Sequence, residues 1–134
     1  MATAKKAVFG QVAIDSEAGP TEIAIIADRS STPAWLAADL ISQAEHDELA
    51  QSVLITHTKS LVSRVQEQVA KQLKSLKRSK IAKTSLTKRG AIIVTRNLAE
   101  SITLANQSAP EHLVLAVDNA DALLKRITNA GAVF

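Results

Sequence analysis

Two short stretches of this chain set a carboxylate beside an imidazole: Glu45-His46 in "SQAEHD" and Glu111-His112 in "QSAPEHLVL". There are three histidines, and these two each follow a glutamate. An imidazole titrates near neutral pH, so it can take and return protons, and a carboxylate nearby can orient or activate water. Glu111 and His112 follow Pro110 and precede the apolar run Leu113-Val114-Leu115, at the mouth of an expected strand. Successive strand residues point to opposite faces. Directly after a proline the backbone need not yet be extended, and both side chains can then line one cleft. The pair reads either as an acid–base couple or as two solvated side chains of a turn. Its place at the amino end of a strand counts against the first reading, because open parallel sheets usually bind ligands at the carboxyl ends.

Gln43 and His46 stand three apart near the end of an expected helix and share a face. An amide oxygen and an imidazole at that spacing can reach one cation. Equally, they make a polar helix end with His46 at the negative pole of the helix dipole, and spacing alone favours this second reading. Gly19-Pro20-Thr21 is a turn by its chemistry, and the Thr21 hydroxyl can hold a substrate or cap the turn. His57 falls in a loop and is assigned no role. With no cysteine there is no disulfide and no thiolate site, so a metal would need imidazole, carboxylate or amide ligands. The dinucleotide fingerprint G-x-G-x-x-G, the phosphate-binding P-loop and the nucleophile elbow G-x-S-x-G are all absent.

The elements that must position these residues follow from apolar periodicity. Strands are expected at 22–28, 52–56, 91–95 and 112–117, with a further one beginning at "AVF". The residues before 22 allow a short strand and a turn. A first helix starts after Thr32 as N-cap with Pro33 in its first turn and carries Trp35, Ala38, Ile41 and Ala44. A second, capped by Ser60, carries Val62, Val65, Val69, Leu73 and Leu76. In a third, Asn97 and Glu100 form a capping box and Pro110 marks the end. A fourth runs through "NADALLKRITNAG" with Gly131 as its C-terminal cap. Alternation of this kind predicts an α/β fold: a Rossmann-like parallel sheet of four to five strands with helices on both faces. Residues 1–134 form one domain, and its abrupt ends suggest a piece of a longer polypeptide, hence an incomplete domain.

Composition bounds the partners. Apolar residues make up 46 % of the 134, enough for a core built from Ile, Val, Leu and Ala, with Phe9, Trp35 and Phe134 the whole aromatic set. No apolar run reaches the roughly 18 residues of a membrane helix, and no secretion signal is present. The expectation is a soluble cytoplasmic protein without a membrane partner. The net charge is +3, but eight of the 16 basic residues fall in 71–89, which holds no acid. That stretch reads as a solvated helix face and loop, or as the contact surface of a non-enzymatic module that binds nucleic acid. No aromatic residue interrupts it to stack on bases, which favours the first reading.

Taken in order, four segments resemble histidinol dehydrogenase: "VFGQVAIDSEAGPTEIAIIAD", "AADLISQAEHD", "NQSAPEHLVL" and "ITNAGAVF". The resemblance implies oxidation of L-histidinol to L-histidine through the aldehyde, in histidine biosynthesis, with two NAD reduced in succession and one zinc holding the substrate. It implies that Gln43 and His46 are two of the zinc ligands. His112 would be the general base for the hydroxyl proton, and Glu111 would activate water for the aldehyde step. Thr21 falls where the family usually carries a substrate-contacting serine; it keeps the hydroxyl and adds a methyl. The substrate contacts implied for this chain are therefore Thr21, Gln43, His46 and His112. The family works as a homodimer. Its NAD-contacting region would precede this chain, which itself holds no cofactor-binding residue, and its remaining Asp and His zinc ligands would follow Phe134. The chain alone is thus expected to hold half a zinc site, to bind the metal weakly and to lack turnover.

Overall fold

The computed structural model describes residues 20–134. Gly19 and the stretch read as an early strand and turn lie outside the described residues. Glu22-Ile-Ala-Ile-Ile-Ala27 forms β1, whose last four residues are buried. Such a run suits a strand covered on both faces. Alternate residues serve opposite sides: Ala24 and Ile26 enter one core cluster, Ile25 and Ala27 the other. β2 (Gln51–Thr56), β3 (Ala91–Val94), β4 (His112–Ala116) and β5 (Ala132–Val133) complete a five-stranded sheet of order β3-β2-β1-β4-β5. Every pairing is parallel. The expected α/β architecture is therefore the observed one, and β1 lies at its centre.

Helices α1 (Pro33–Ala44) and α2 (Lys59–Leu73) cover one face, where Leu36, Leu40, Leu61 and Val65 pack on Ile25 and Leu54. α3 (Ser79–Arg89) packs against α1 and β2. On the other face, α4 (Leu98–Ser108) and α5 (Ala120–Leu124) bring Ile102, Ala105 and Leu123 onto Ala24, Ile26, Leu113 and Leu115. Chain order runs outward from β1 to β3, then crosses to β4 and outward again, so the sheet has a switch point between β1 and β4.

The ends of the elements differ from expectation in instructive ways. Thr32 sits at the N-cap of α1 with Pro33 in the first turn, but its side chain makes no capping bond. Thr58, not Ser60, holds the N-cap position of α2. Asn97 caps α4 through Oδ1, which accepts from the Glu100 N–H at 3.0 Å. The Glu100 carboxylate does not close the box on Asn97; it accepts from the Arg96 N–H at 2.6 Å. α3 falls in the stretch read as a solvated helix face and loop; it is a helix whose fully buried residues are the small Ala82 and Ser85.

The last helix is much shorter than expected. It stops at Leu124, so Gly131 is not its cap. The cause is Asn106 of α4. Its Oδ1 accepts from the Thr128 and Asn129 N–H groups at 2.9 and 3.4 Å, and its Nδ2 donates to Arg126 C=O at 3.0 Å. Backbone groups that a longer helix would use internally are satisfied there instead. Gly131 serves a close approach: a Cβ on it would meet the Glu111 carbonyl oxygen at 2.6 Å.

Candidate active site

α1 starts beyond the carboxyl end of β1 and returns along the sheet, so its last turn ends beside the amino ends of β1 and β4. Parallel pairing sets Ile23 opposite His112 and His112 opposite Ala132. Four segments thus meet at one edge of the sheet. They form an open cleft of about 440 Å³ lined by Thr21, Ile23, Gln43, His46, His112 and Phe134. Four of the five residues singled out by chemistry share that lining. The fifth, Glu111, is exposed and stands just behind it, with Oε2 3.7 Å from His112 Nδ1.

The main chain of Glu22 meets both Glu111 and His112. Its N–H donates to Glu111 Oε2 at 3.3 Å, and its C=O lies 3.2 Å from His112 Nδ1. A carbonyl only accepts, so this contact is a hydrogen bond when Nδ1 carries the proton. In the neutral ring Nε2 then keeps its lone pair. The residue does this entirely with backbone atoms, so its side-chain identity carried no signal in the sequence.

Phe134 was also missed. It is held in line by its N–H on Leu113 C=O and by the Leu115 N–H on its own C=O, both at 2.9 Å. Its ring centroid lies 5.9 Å from that of His112, tilted by 33°. The signal available was the strand start at Ala132, since a strand parallel to β4 carries residue 134 past His112.

Thr21 Oγ1 and Gln43 Nε2 are both buried and unpartnered among the described residues. Leaving a buried polar atom unsatisfied costs about 1–3 kcal/mol. Two such atoms in the lining of one cleft point to a polar ligand. The His46 imidazole suits zinc, and the Gln43 amide oxygen is a harder, less usual donor for it. Gln43 Nε2 itself donates and would meet a hydrogen-bond acceptor rather than the cation. Among the described residues no group of three or more His, Asp or Glu is placed to hold a metal. The donors present therefore fit part of a zinc shell.

The carboxyl edge of the sheet has its own crevice, of about 820 Å³, lined by Asp28, Arg29, Ser30, His57, Thr58, Leu98 and Asp118. This is the switch-point position where such sheets usually bind ligands. The Asp28 carboxylate is engaged here in closing loops. It accepts from Ser30 N–H and Oγ at 2.8 and 2.5 Å and from Asp118 N–H at 3.2 Å. Burial pushes its carboxyl up, but those bonds and the nearby His57 outweigh it, and the group ends below the usual carboxylate range.

The family model for histidinol dehydrogenase matches residues 1–134. The histidinol dehydrogenase of Geobacter sulfurreducens is 56 % identical over 134 residues, covering 100 % of this chain and 31 % of that protein. That of Syntrophotalea carbinolica is 54 % identical with the same coverage. The crystal structure of histidinol dehydrogenase from Elizabethkingia anophelis superposes with a TM-score of 0.90 at 40 % identity, over 99 % of this chain and 31 % of that one. The chain thus spans about a third of the length of these relatives. Sequence and backbone match along that whole span, and the chain belongs to the histidinol dehydrogenase family.

Proposed function

We propose that this chain forms the zinc- and substrate-holding part of an enzyme that oxidises L-histidinol to L-histidine through the aldehyde, with NAD as hydride acceptor. The observation that carries the reading is the convergence of Thr21, Gln43, His46 and His112 on one cleft, where the Thr21 hydroxyl and the Gln43 amide nitrogen have no partner among the described residues. Gln43 and His46 would hold the zinc, which when bound supplies a Lewis acid for the substrate. The remaining ligands and the NAD contacts belong to the two thirds of the relatives' length that this chain does not span, and the intact protein is read as a homodimer.

His112 takes the hydroxyl proton at Nε2. Its Nδ1–H is anchored on Glu22 C=O, which fixes both the tautomer and the direction of the ring. The Phe134 ring stands beside that of His112, with centroids 5.9 Å apart. Glu111 activates the water that adds to the aldehyde. Glu22 N–H occupies its Oε2, leaving Oε1 to receive that water's proton. Thr21 Oγ1 binds the substrate's polar end.

The test is a graft of residues 1–134 in place of the matching stretch of the Geobacter sulfurreducens protein, with NADH formation from L-histidinol as readout. The graft is expected to be active. His112→Ala should lower turnover by about 10²–10⁴-fold, the usual contribution of a general base. Glu111→Gln should slow the aldehyde step more than the alcohol step. A folded graft with full activity in both variants would sink the assignment.

A further inference from the structure

We infer that Arg78 is a positioning residue for His46, and that α3 braces the loop that carries this imidazole into the cleft. The inference rests on the zinc reading above.

His46 lies one residue beyond the C-cap of α1, outside the regular helix. Its own N–H reaches Gln43 C=O at 3.3 Å. No hydrogen bond among the described residues holds its ring, so the backbone alone sets where the imidazole points. That backbone is pinned at both ends of the 46–50 segment from α3. At the far end Ser85 Oγ donates to Ala50 C=O at 2.8 Å, between two fully buried residues. At the near end Arg78 Nη2 donates to the carbonyl of His46 itself at 3.3 Å. Between them Asp47 closes a turn, accepting from Leu49 N–H at Oδ1 and from Ala50 N–H at its C=O, at 2.7 and 3.1 Å.

Electrostatics point the same way. The last turn of α1 contains no basic residue. Helix carboxyl ends carry unsatisfied carbonyls and a partial negative charge, which a cation stabilises. Arg78 supplies that cation from another helix. Its own main chain is committed at the N-cap of α3, where its C=O accepts from Ala82 N–H at 3.1 Å. Because Ala82 and Ser85 anchor α3 in the core, the guanidinium starts from a rigid base. The basic stretch 71–89, unexplained by the chemistry of the cleft, thus acquires one member with a defined partner.

Loss of a group that orients a metal ligand typically weakens metal binding about 10–100-fold. In the graft described above, Arg78→Met should raise the zinc dissociation constant by at least about 10-fold in chelator competition. The neighbouring Lys77→Met, an equal loss of charge, should leave it unchanged. Arg78→Lys should restore part of the affinity, since it keeps the cation and loses the fork. Cobalt substituted for zinc should show an altered visible spectrum in Arg78→Met, a change that a general loss of stability does not produce. Zinc binding in Arg78→Met equal to or tighter than wild type would overturn the inference; if that variant does not fold, wild-type zinc affinity and cobalt spectrum in both Arg78→Lys and Ser85→Ala would do so. His46→Ala separates the two readings. If it abolishes zinc binding while Arg78→Met does not, only the brace fails. If it retains zinc, the ligand assignment fails and the brace with it.

Discussion

On the proposed reading, Thr21 is the residue at which stability and function pull apart. Its hydroxyl is buried at the cleft without a partner among the described residues, an arrangement that is unfavourable unless a polar ligand binds there, as the proposed reading has it. Valine has the same shape without the hydroxyl. Thr21→Val should therefore stabilise the ligand-free chain by about 1 kcal/mol, read as a raised midpoint in urea. In the graft the same change should raise KM for L-histidinol about tenfold, the weight of one hydrogen bond. Unchanged stability together with unchanged KM would mean that the hydroxyl faces water and takes no part. His112 and Glu111 differ from Thr21 in being tied down already, through the Glu22 main chain. That tie makes their geometry a property of β1 as much as of the dipeptide itself.

Two elements carry conformational detail with measurable consequences. α4 ends at Ala109, which adopts the left-handed conformation at φ 44°, ψ 56°. A non-glycine residue there is disfavoured by about 1–2 kcal/mol, and glycine removes the clash. Ala109→Gly should raise the unfolding free energy by up to about 1 kcal/mol, after the added freedom of the unfolded chain is offset. At the opposite edge, Asp28 joins the loops after β1 and β4. Its carboxyl lies below its ordinary range. A depressed carboxyl contributes stability fully above its unfolded value, near pH 4, and loses it as pH falls through the lower folded value. Asp28→Asn should cost about 1 kcal/mol at neutral pH, and the gap to wild type should close below about pH 4. Denaturant titrations at several pH values check this. A gap that stayed constant down to strong acid would assign the effect to packing rather than charge. Two elements also show where reading from sequence stopped. α3 buries only alanine and serine, so its periodicity is faint. α5 stops early because of an asparagine on another helix, a contact no local pattern announces.

At the scale of the whole molecule, the chain is about a third of the length of its relatives, and on the proposed reading it carries two of the donors of a zinc shell. Residues 1–134 alone should therefore produce no NADH from L-histidinol and bind zinc far more weakly than the graft. A turnover signal from the purified chain, abolished by His112→Ala, would show that the cleft is self-sufficient. The sequence by itself determined the parallel α/β architecture. Its buried strands and amphipathic helices are local patterns, and right-handed crossovers leave few ways to assemble them. It also carried the chemical identities of Gln43, His46, Glu111 and His112, and the family resemblance from which their proposed roles come. Tertiary structure alone decided that Gln43 and His46 come to the same cleft as Thr21 and His112, because that meeting depends on the return of α1 and on the β1–β4 register. It also decided the contact of His112 Nδ1 with the Glu22 carbonyl, the ring of Phe134 beside it and the grip of Arg78 on His46. Each of these is a contact between residues far apart in the chain or made by backbone atoms. Local side-chain patterns encode neither.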